Sequence, residues 1–269
     1  MGRNIFESVG DILREAAAAA VMPRFAALQP GDVVMKAAND PVTIADREAE
    51  AMIGRGLQTL LPRARIVGEE ACAANPALLN DLGEGTVWIV DPIDGTANFA
   101  AGRAPFAMMV ALLEDGELAG SWILDPLSDR LAVAQRSGGA WIDGERLRGR
   151  AVSCALGDLS GIVSEAYLPA SKRGVLDRIR AAVGSTEPSA RCAGHEYPRV
   201  ATRERHFALY WRTLVWDHAP GALLLTEAGG SVTYLDGTAY DPCQSRPGLL
   251  LACHPSIARQ LSSLTISDA

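Results

Sequence analysis

The sequence predicts an α/β protein in two parts. Residues 1–150 read as helices packed on an antiparallel sheet (α+β), and residues 151–269 as an α/β half that alternates strand and helix. Three observations carry this. Ile5, Val9, Ile12 and Leu13 recur at helical spacing ahead of an alanine run, the mark of an amphipathic helix. Between Phe106 and Leu147, short apolar runs are separated by Asp115-Gly116, Asp125-Pro126, Gly138-Gly139 and Asp143-Gly144, which is how an antiparallel meander is punctuated. Beyond Ser160, strand-length apolar runs alternate with helical stretches, which argues for an α/β layer. A chain of 269 residues suffices for one large domain or two intimate halves.

In chain order, residues 3–28 are read as one helix, broken by Gln29-Pro30-Gly31-Asp32. Residues 32–45 form a loose hairpin. Asp46 caps or opens a second helix, Arg47 to about Leu61, closed by Pro62. Ile66-Val67 is a brief strand ending at Gly68-Glu69-Glu70, and residues 71–85 are a polar, partly helical connection. Thr86 to Val90 is a buried strand, ended by Pro92 because proline has no N–H for a ladder. Strands at Phe106–Leu113, Leu118–Leu124 and Leu131–Gln135, with one more between the glycine turns, make a sheet that packs on the first two helices. In the second half Ser160–Ser164, Phe207–Trp211, Ser231–Leu235 and Gly248–Ala252 are strands. Ser171–Val183, Asp217–Ala228 and Pro255–Leu264 are helices, the middle one ended by Gly229-Gly230.

Hydrophobic residues are 48% and charged residues 21%, an ordinary globular balance. A net charge of −7 speaks against an extended nucleic-acid face. It is compatible with a phosphate substrate where bound cations supply local positive charge. Five scattered cysteines with no C-x-x-C pair predict reduced thiols in a cytoplasmic protein rather than a disulfide frame or zinc site. Ala16 to Ala20 follow Glu7, Asp11 and Glu15 with no basic lead, unlike a secretory leader, and no apolar run is long enough for a bilayer. Neither nucleic acid nor membrane is therefore an expected partner.

The chemistry concentrates at Asp91-Pro92-Ile93-Asp94-Gly95-Thr96. Asp91 stands at the carboxyl end of a buried strand, where ligand sites of α/β folds gather. Gly95-Thr96 open a helix whose first N–H groups face anions. A capped turn uses the same residue types. Two carboxylates beside a set of N–H donors nevertheless fit a divalent cation held by oxygens with a phosphate next to it.

That stretch resembles the central metal-binding motif of the inositol monophosphatase family. Three further pieces of the family pattern stand in order: Lys36-Ala37-Ala38-Asn39-Asp40-Pro41-Val42-Thr43-Ile44-Ala45-Asp46, Gly68-Glu69-Glu70, and Trp216-Asp217-His218-Ala219-Pro220-Gly221. Together they span most of the chain. The resemblance implies a layered αβαβα sandwich of the inositol monophosphatase/fructose bisphosphatase type. It also implies a homodimeric, Mg²⁺-dependent phosphomonoesterase for a small phosphorylated metabolite, using two or three ions, with Mn²⁺ as an alternative ion. As implied ligands it names Glu69, Asp91, the backbone carbonyl of Ile93, Asp94 and Asp217, with Asp91 bridging two ions. Magnesium's preference for hard oxygen donors suits that set. Glu69 and Asp91 also count with the catalytic residues, together with Asp46 and Thr96, which orient the attacking water. Gly95 and Thr96 present N–H groups to the phosphate. Lys36 matches a family lysine, although alone it reads equally as a solvated side chain. Ala97 stands where the family often has Thr, a position not usually catalytic.

On the substrate side the resemblance implicates Asp94, Asp217 and the loop from Arg191 to Tyr197. Gly194 fits the family there, while His195 and Glu196 are bulkier and more polar than usual. Inositol-preferring members carry a glutamate seven residues before the acid of Trp-Asp, and here that position is Tyr210, followed by Trp211 and Arg212. A tyrosine offers one oxygen and a large ring where a carboxylate accepts several hydroxyl bonds. Arg212 would face a second anionic group. Tyr210 and Trp211 would serve equally as alternating strand residues, one of them in the core. Inositol 1-phosphate is therefore expected to be a poor substrate. His195, His206, His218 and His254 show no H-x-x-x-H spacing, so His218 reads as structural rather than as a zinc ligand. Haloacid-dehalogenase-type phosphatases use D-x-D-G-T, which the three-residue step from Asp91 to Asp94 does not match. A histidinol-phosphate or 3′(2′),5′-bisphosphate nucleotide phosphatase of the same family remains an alternative. So does a non-catalytic phosphate-binding relative, whose mark, a lost ligand or lost Thr96, is not seen.

Overall fold

Five layers stack in the order helix, sheet, helix, sheet, helix in the computed structural model, which describes residues 3–37, 40–149 and 154–265. Ala38 and Asn39 of the upstream motif, and the boundary expected at residue 150, lie outside the described residues. The first helix, α1 (Arg3–Ala16), widens over Ala17–Val21 and tightens over Met22–Arg24. Pro23 has no N–H to return to Ala19, so the helical path stops short of the expected residue 28. β1 (Val33–Ala37) and β2 (Asp40–Thr43) pair antiparallel as the expected hairpin. α2 (Ile44–Leu60) begins three residues before the expected start. Thr43, not Asp46, is its N-cap. Asp46 sits at the third helical position and returns a carboxylate to the Thr43 N–H, the reciprocal capping box.

The seven-stranded sheet runs in chain order from β3 (Arg65–Gly68) through β4 (Thr86–Asp94), β5 (Ala107–Glu114), β6 (Glu117–Asp125), β7 (Arg130–Gln135) and β8 (Gly139–Ile142) to β9 (Glu145–Leu147). Its first pair is parallel and the rest antiparallel. The parallel pair corrects the all-antiparallel expectation. It exists because the connection between β3 and β4, which includes α3 (Glu69–Ala74), is long enough for a crossover. α4 (Thr96–Ala100) follows β4 directly.

The second sheet has the order β11-β10-β12-β14-β13, with β10 (Ser160–Val163), β11 (Ser185–Pro188), β12 (Phe207–Tyr210), β13 (Ser231–Tyr234) and β14 (Leu249–Ala252). Its helices are α5 (Arg173–Ala182), α6 (Ala193–Ala201), α7 (Val215–Glu227) and α8 (Pro255–Thr265). β11 and α6 were not expected. β11 is a polar edge strand with no buried residue, and α6 contains Gly194 and Pro198, so neither carries a hydrophobic period.

Packing explains the layers. Val9 and Leu13 of α1 and Ala49 and Ile53 of α2 cover Trp88 and Trp122 on one face of the large sheet. Its other face, with Met109 and Ile123, packs with α6, α7 and the second sheet, and Val175 and Ile257 close the far side. Each fully buried aliphatic side chain contributes about 1.5–3 kcal/mol. α7 is buried nearly all round, from Val215 to Leu225, as a helix between two sheets must be. No helix among the described residues is long and apolar enough to cross a membrane, and all five cysteines are free thiols.

Candidate active site

The end of β4 is bent by one extra residue. Asp91 pairs with Met109 and Asp94 with Ala107, so three steps on β4 face two on β5, a bulge at Pro92-Ile93. The strand thus continues past Pro92, which the sequence had marked as its end. The bulge leaves two carboxylates buried side by side along the chain, Asp91 1% and Asp94 8% exposed. Asp91 Oδ1 accepts the Ile93 N–H at 3.1 Å, and Asp94 Oδ2 accepts the Gly194 N–H at 2.6 Å. Gly95 then turns the chain with φ +84°, and a Cβ there would meet the Pro105 carbonyl oxygen at 3.1 Å and Cys192 Cβ at 3.3 Å. Only glycine meets both demands.

Thr96 joins this strand end to α2. Its hydroxyl lies 2.8 Å from the Ile93 carbonyl oxygen and 3.2 Å from Asp46 Oδ1. The other oxygen of Asp46 accepts the Thr43 N–H at 2.8 Å and the Thr43 hydroxyl. Asp46 is wholly buried. Burial pushes its carboxyl up to about 7, against the bonds from Thr43, with Glu70 and Glu69 adding to the rise.

Glu69 and Glu70 open α3. Lys36 reaches across from β1 and donates to Glu69 Oε1 at 2.7 Å and Glu70 Oε1 at 2.9 Å. Burial works against the Lys36 ammonium, but the two glutamates outweigh it and raise its pKa. Behind them Glu50 of α2 accepts the N–H groups of Glu70 at 2.7 Å and Ala71 at 2.9 Å, and its own carboxyl is pushed up to about 7 by burial. Gly68 makes room, since a Cβ there would lie 2.3 Å from the Glu50 carboxyl carbon. Glu50 was missed in the sequence, where nothing distinguishes it from a solvated helix residue.

Asp217, in the first turn of α7, completes the ring. Burial raises the Asp91 carboxyl well above the usual carboxylate range, and Glu69, Asp94, Asp217 and Asp46 push it further. Burial likewise raises Asp94 to about 7, against the Gly194 N–H. Among the described residues no three His, Cys, Asp or Glu side chains are drawn together tightly enough to hold an ion as they stand. Like charges repel, and Lys36 engages Glu69. The donors around Asp91 are nevertheless all carboxylate or carbonyl oxygens, the set a hard divalent cation takes. His218 is not among them. Its Nε2 lies 2.9 Å from the Arg212 carbonyl oxygen and its Nδ1 3.1 Å from the Tyr197 hydroxyl. Burial lowers its pKa to about 4, so it is a neutral structural imidazole.

One cavity gathers Glu69, Asp91, Ile93, Asp94, Gly95, Thr96, Tyr210, Arg212 and Asp217. Asp46 lies behind Thr96. Gly194 meets the cavity's chemistry through Asp94 but lines a second cavity together with His195, Asp125 and Glu204. Glu196 is fully buried and takes the Ser189 hydroxyl at 2.9 Å, the Ala190 N–H at 2.6 Å and the Tyr210 hydroxyl. Neither His195 nor Glu196 lines the first cavity. Both belong to α6, a helix the sequence concealed, and Glu196 lies directly behind the Ser189 and Tyr210 wall of that cavity.

The chain is similar to known proteins over most of its length. The model of the inositol monophosphatase family matches residues 7–266. An inositol-1-monophosphatase of Rhizobium meliloti (strain 1021) is 33% identical over 216 residues, 79% of this chain and 79% of its own. A Pseudomonas aeruginosa protein named Nus factor SuhB is 32% identical over 215 residues, 76% of this chain and 75% of its own. The solved structure of extragenic suppressor protein suhB from Bartonella henselae superposes with a TM-score of 0.85 at 25% identity, covering 99% of this chain and 100% of that one.

Proposed function

The chain belongs to the inositol monophosphatase family and is a phosphoric monoester hydrolase; from that premise we propose a Mg²⁺-dependent enzyme that splits a small phosphorylated metabolite by attack of water. The observation that carries the proposal is Asp91, a buried carboxylate pressed by Glu69, Asp94 and Asp217. Such a cluster needs positive charge, and its oxygen donors suit Mg²⁺, with Mn²⁺ as an alternative. Glu69, Asp91, the Ile93 carbonyl, Asp94 and Asp217 would hold two or three ions. Bound there, the metal lowers the pKa of water and neutralises phosphate and departing oxygen.

The protein's own groups do the rest. The Thr96 hydroxyl has one proton and two lone pairs. Given to Asp46, that proton leaves an oxygen free to take a hydrogen from the attacking water. A proton leaving the water then reaches Asp46 Oδ1 through Thr96, and a carboxyl near 7 is suited to receive it at neutral pH. The N–H groups of Gly95 and Thr96 stand at the N-terminal end of α4, where no helical acceptor serves them, and suit phosphate oxygens. Asp94 and Asp217 would also meet the substrate. The proposed protein is a cytoplasmic homodimer with no nucleic-acid or membrane partner; a monomeric mass in light scattering would refute the dimer. Phosphate release from a panel of phosphomonoesters is expected to vanish on chelation and return with Mg²⁺. Full turnover in excess chelator would overturn the reading.

A further inference from the structure

The cavity is divided by charge. Its floor holds the carboxylates of Glu69, Asp91, Asp94 and Asp217, and its remaining charged lining residues are Arg191 and Arg212. Arg212 follows β12 and is half-buried. Its guanidinium carbon lies 4.2 Å from the centre of the Tyr167 ring, and Tyr167 is 50% exposed, so the stack forms part of the rim. A guanidinium laid on a ring by its face keeps its N–H donors at the edge, available to an anion. Arg212 pairs with no carboxylate among the described residues, whereas Arg199 and Arg205 are bound to Glu187 and Arg246 to Asp236. Its backbone is tied down by His218 at 2.9 Å, next in sequence to Asp217. The rim cation thus has a set position relative to the floor. On the neighbouring wall the Tyr210 hydroxyl is committed to buried Glu196.

Resting on the phosphatase reading, we propose that Arg212, laid on Tyr167, is a subsite for a second anionic group on the alcohol that leaves. That group is a phosphate or a carboxylate. Substrates with two anionic centres are then preferred to a neutral polyol phosphate such as myo-inositol 1-phosphate. Recognition is planar and bidentate, so lysine replaces it only in part.

The test compares kcat/KM for fructose 1,6-bisphosphate, 3-phosphoglycerate and myo-inositol 1-phosphate in wild type, Arg212→Gln, Arg212→Lys, Tyr167→Phe and Tyr167→Leu. The preference for either two-anion substrate over inositol 1-phosphate should fall about tenfold or more in Arg212→Gln, chiefly through KM. Arg212→Lys should recover part of it, Tyr167→Phe should keep it, and Tyr167→Leu should weaken it. The two-anion substrates separate phosphate from carboxylate as the preferred group. A calorimetric titration with Ca²⁺ in place of Mg²⁺ reads binding without turnover. There, fructose 1,6-bisphosphate should bind more tightly than fructose 6-phosphate to wild type and equally to Arg212→Gln. An unchanged preference in Arg212→Gln, or equal binding of both sugars to wild type, overturns the subsite. Absence of turnover together with Arg212-dependent binding would instead overturn the phosphatase reading and leave the subsite standing.

Discussion

Thr96 is the smallest unit on which the proposed chemistry turns. Its single proton has two acceptors, Ile93 O at 2.8 Å and Asp46 Oδ1 at 3.2 Å, and only the second choice links the hydroxyl to a buried acid. Thr96→Ala should lower turnover by about 10²–10⁴-fold, the usual worth of a positioned proton-transfer group, while Mg²⁺ affinity by calorimetry changes little. Near-normal turnover would remove Thr96 from the chemistry. At this scale the sequence is most legible: Asp91, Asp94 and Thr96 lie within one turn-forming stretch, so their spacing alone puts them together. Tyr167 and Glu50 were invisible because their partners, Arg212 and the start of α3, are distant in the chain.

Among the elements, α3 shows how the segment that carries the proposed ligand Glu69 is held. It is six residues long, too short to persist on helical propensity, and Glu50 caps it from α2. Gly68→Ala would place a Cβ 2.3 Å from the Glu50 carboxyl carbon and force that carboxylate off two N–H groups. The expected cost is about 1–3 kcal/mol, read as a lower denaturant midpoint, with weakened Mg²⁺ binding as Glu69 shifts. An unchanged midpoint would mean that Glu50 is not the cap. Strands and helices with a clear period, such as β5 and α2, were legible to within a few residues. The start of α2 was misplaced because Asp46 satisfies the N-cap preference as well as Thr43 does, and only the reciprocal bond decides between them. α6 was lost to Gly194 and Pro198, residues that break helices unless tertiary packing holds them, as the burial of Tyr197 and Val200 does here.

The whole molecule keeps its acidic charge tightest at the end of β4, and this couples its stability to pH. Asp46, with an ordinary value of 3.8, and Glu50, with 4.5, are both raised to about 7, as is Asp94. The folded chain therefore retains protons that the unfolded chain has already released. Their burial costs nothing below about pH 4 and most above about pH 7, so metal-free stability falls as pH rises between the two. His218, lowered from 6.5 to about 4, acts in the opposite sense, losing stability as pH falls through that window, but it is one group against three. Cations held at Asp91 and Asp94, as proposed, would compete with their protons. The rise in Tm on adding Mg²⁺ should accordingly be small near about pH 5.5 and large near about pH 8. A rise independent of pH would contradict cation binding at these carboxylates. Lys36, bonded to Glu69 and Glu70, adds a further consequence. Its ammonium is a tethered rival for the same oxygens, present at an effective concentration set by the β1–β2 hairpin and not by the medium. With Glu69 as a ligand, as proposed, apparent metal affinity would be an exchange constant, and the hairpin's grip on Glu69 would tune how much free Mg²⁺ the enzyme demands before it turns over.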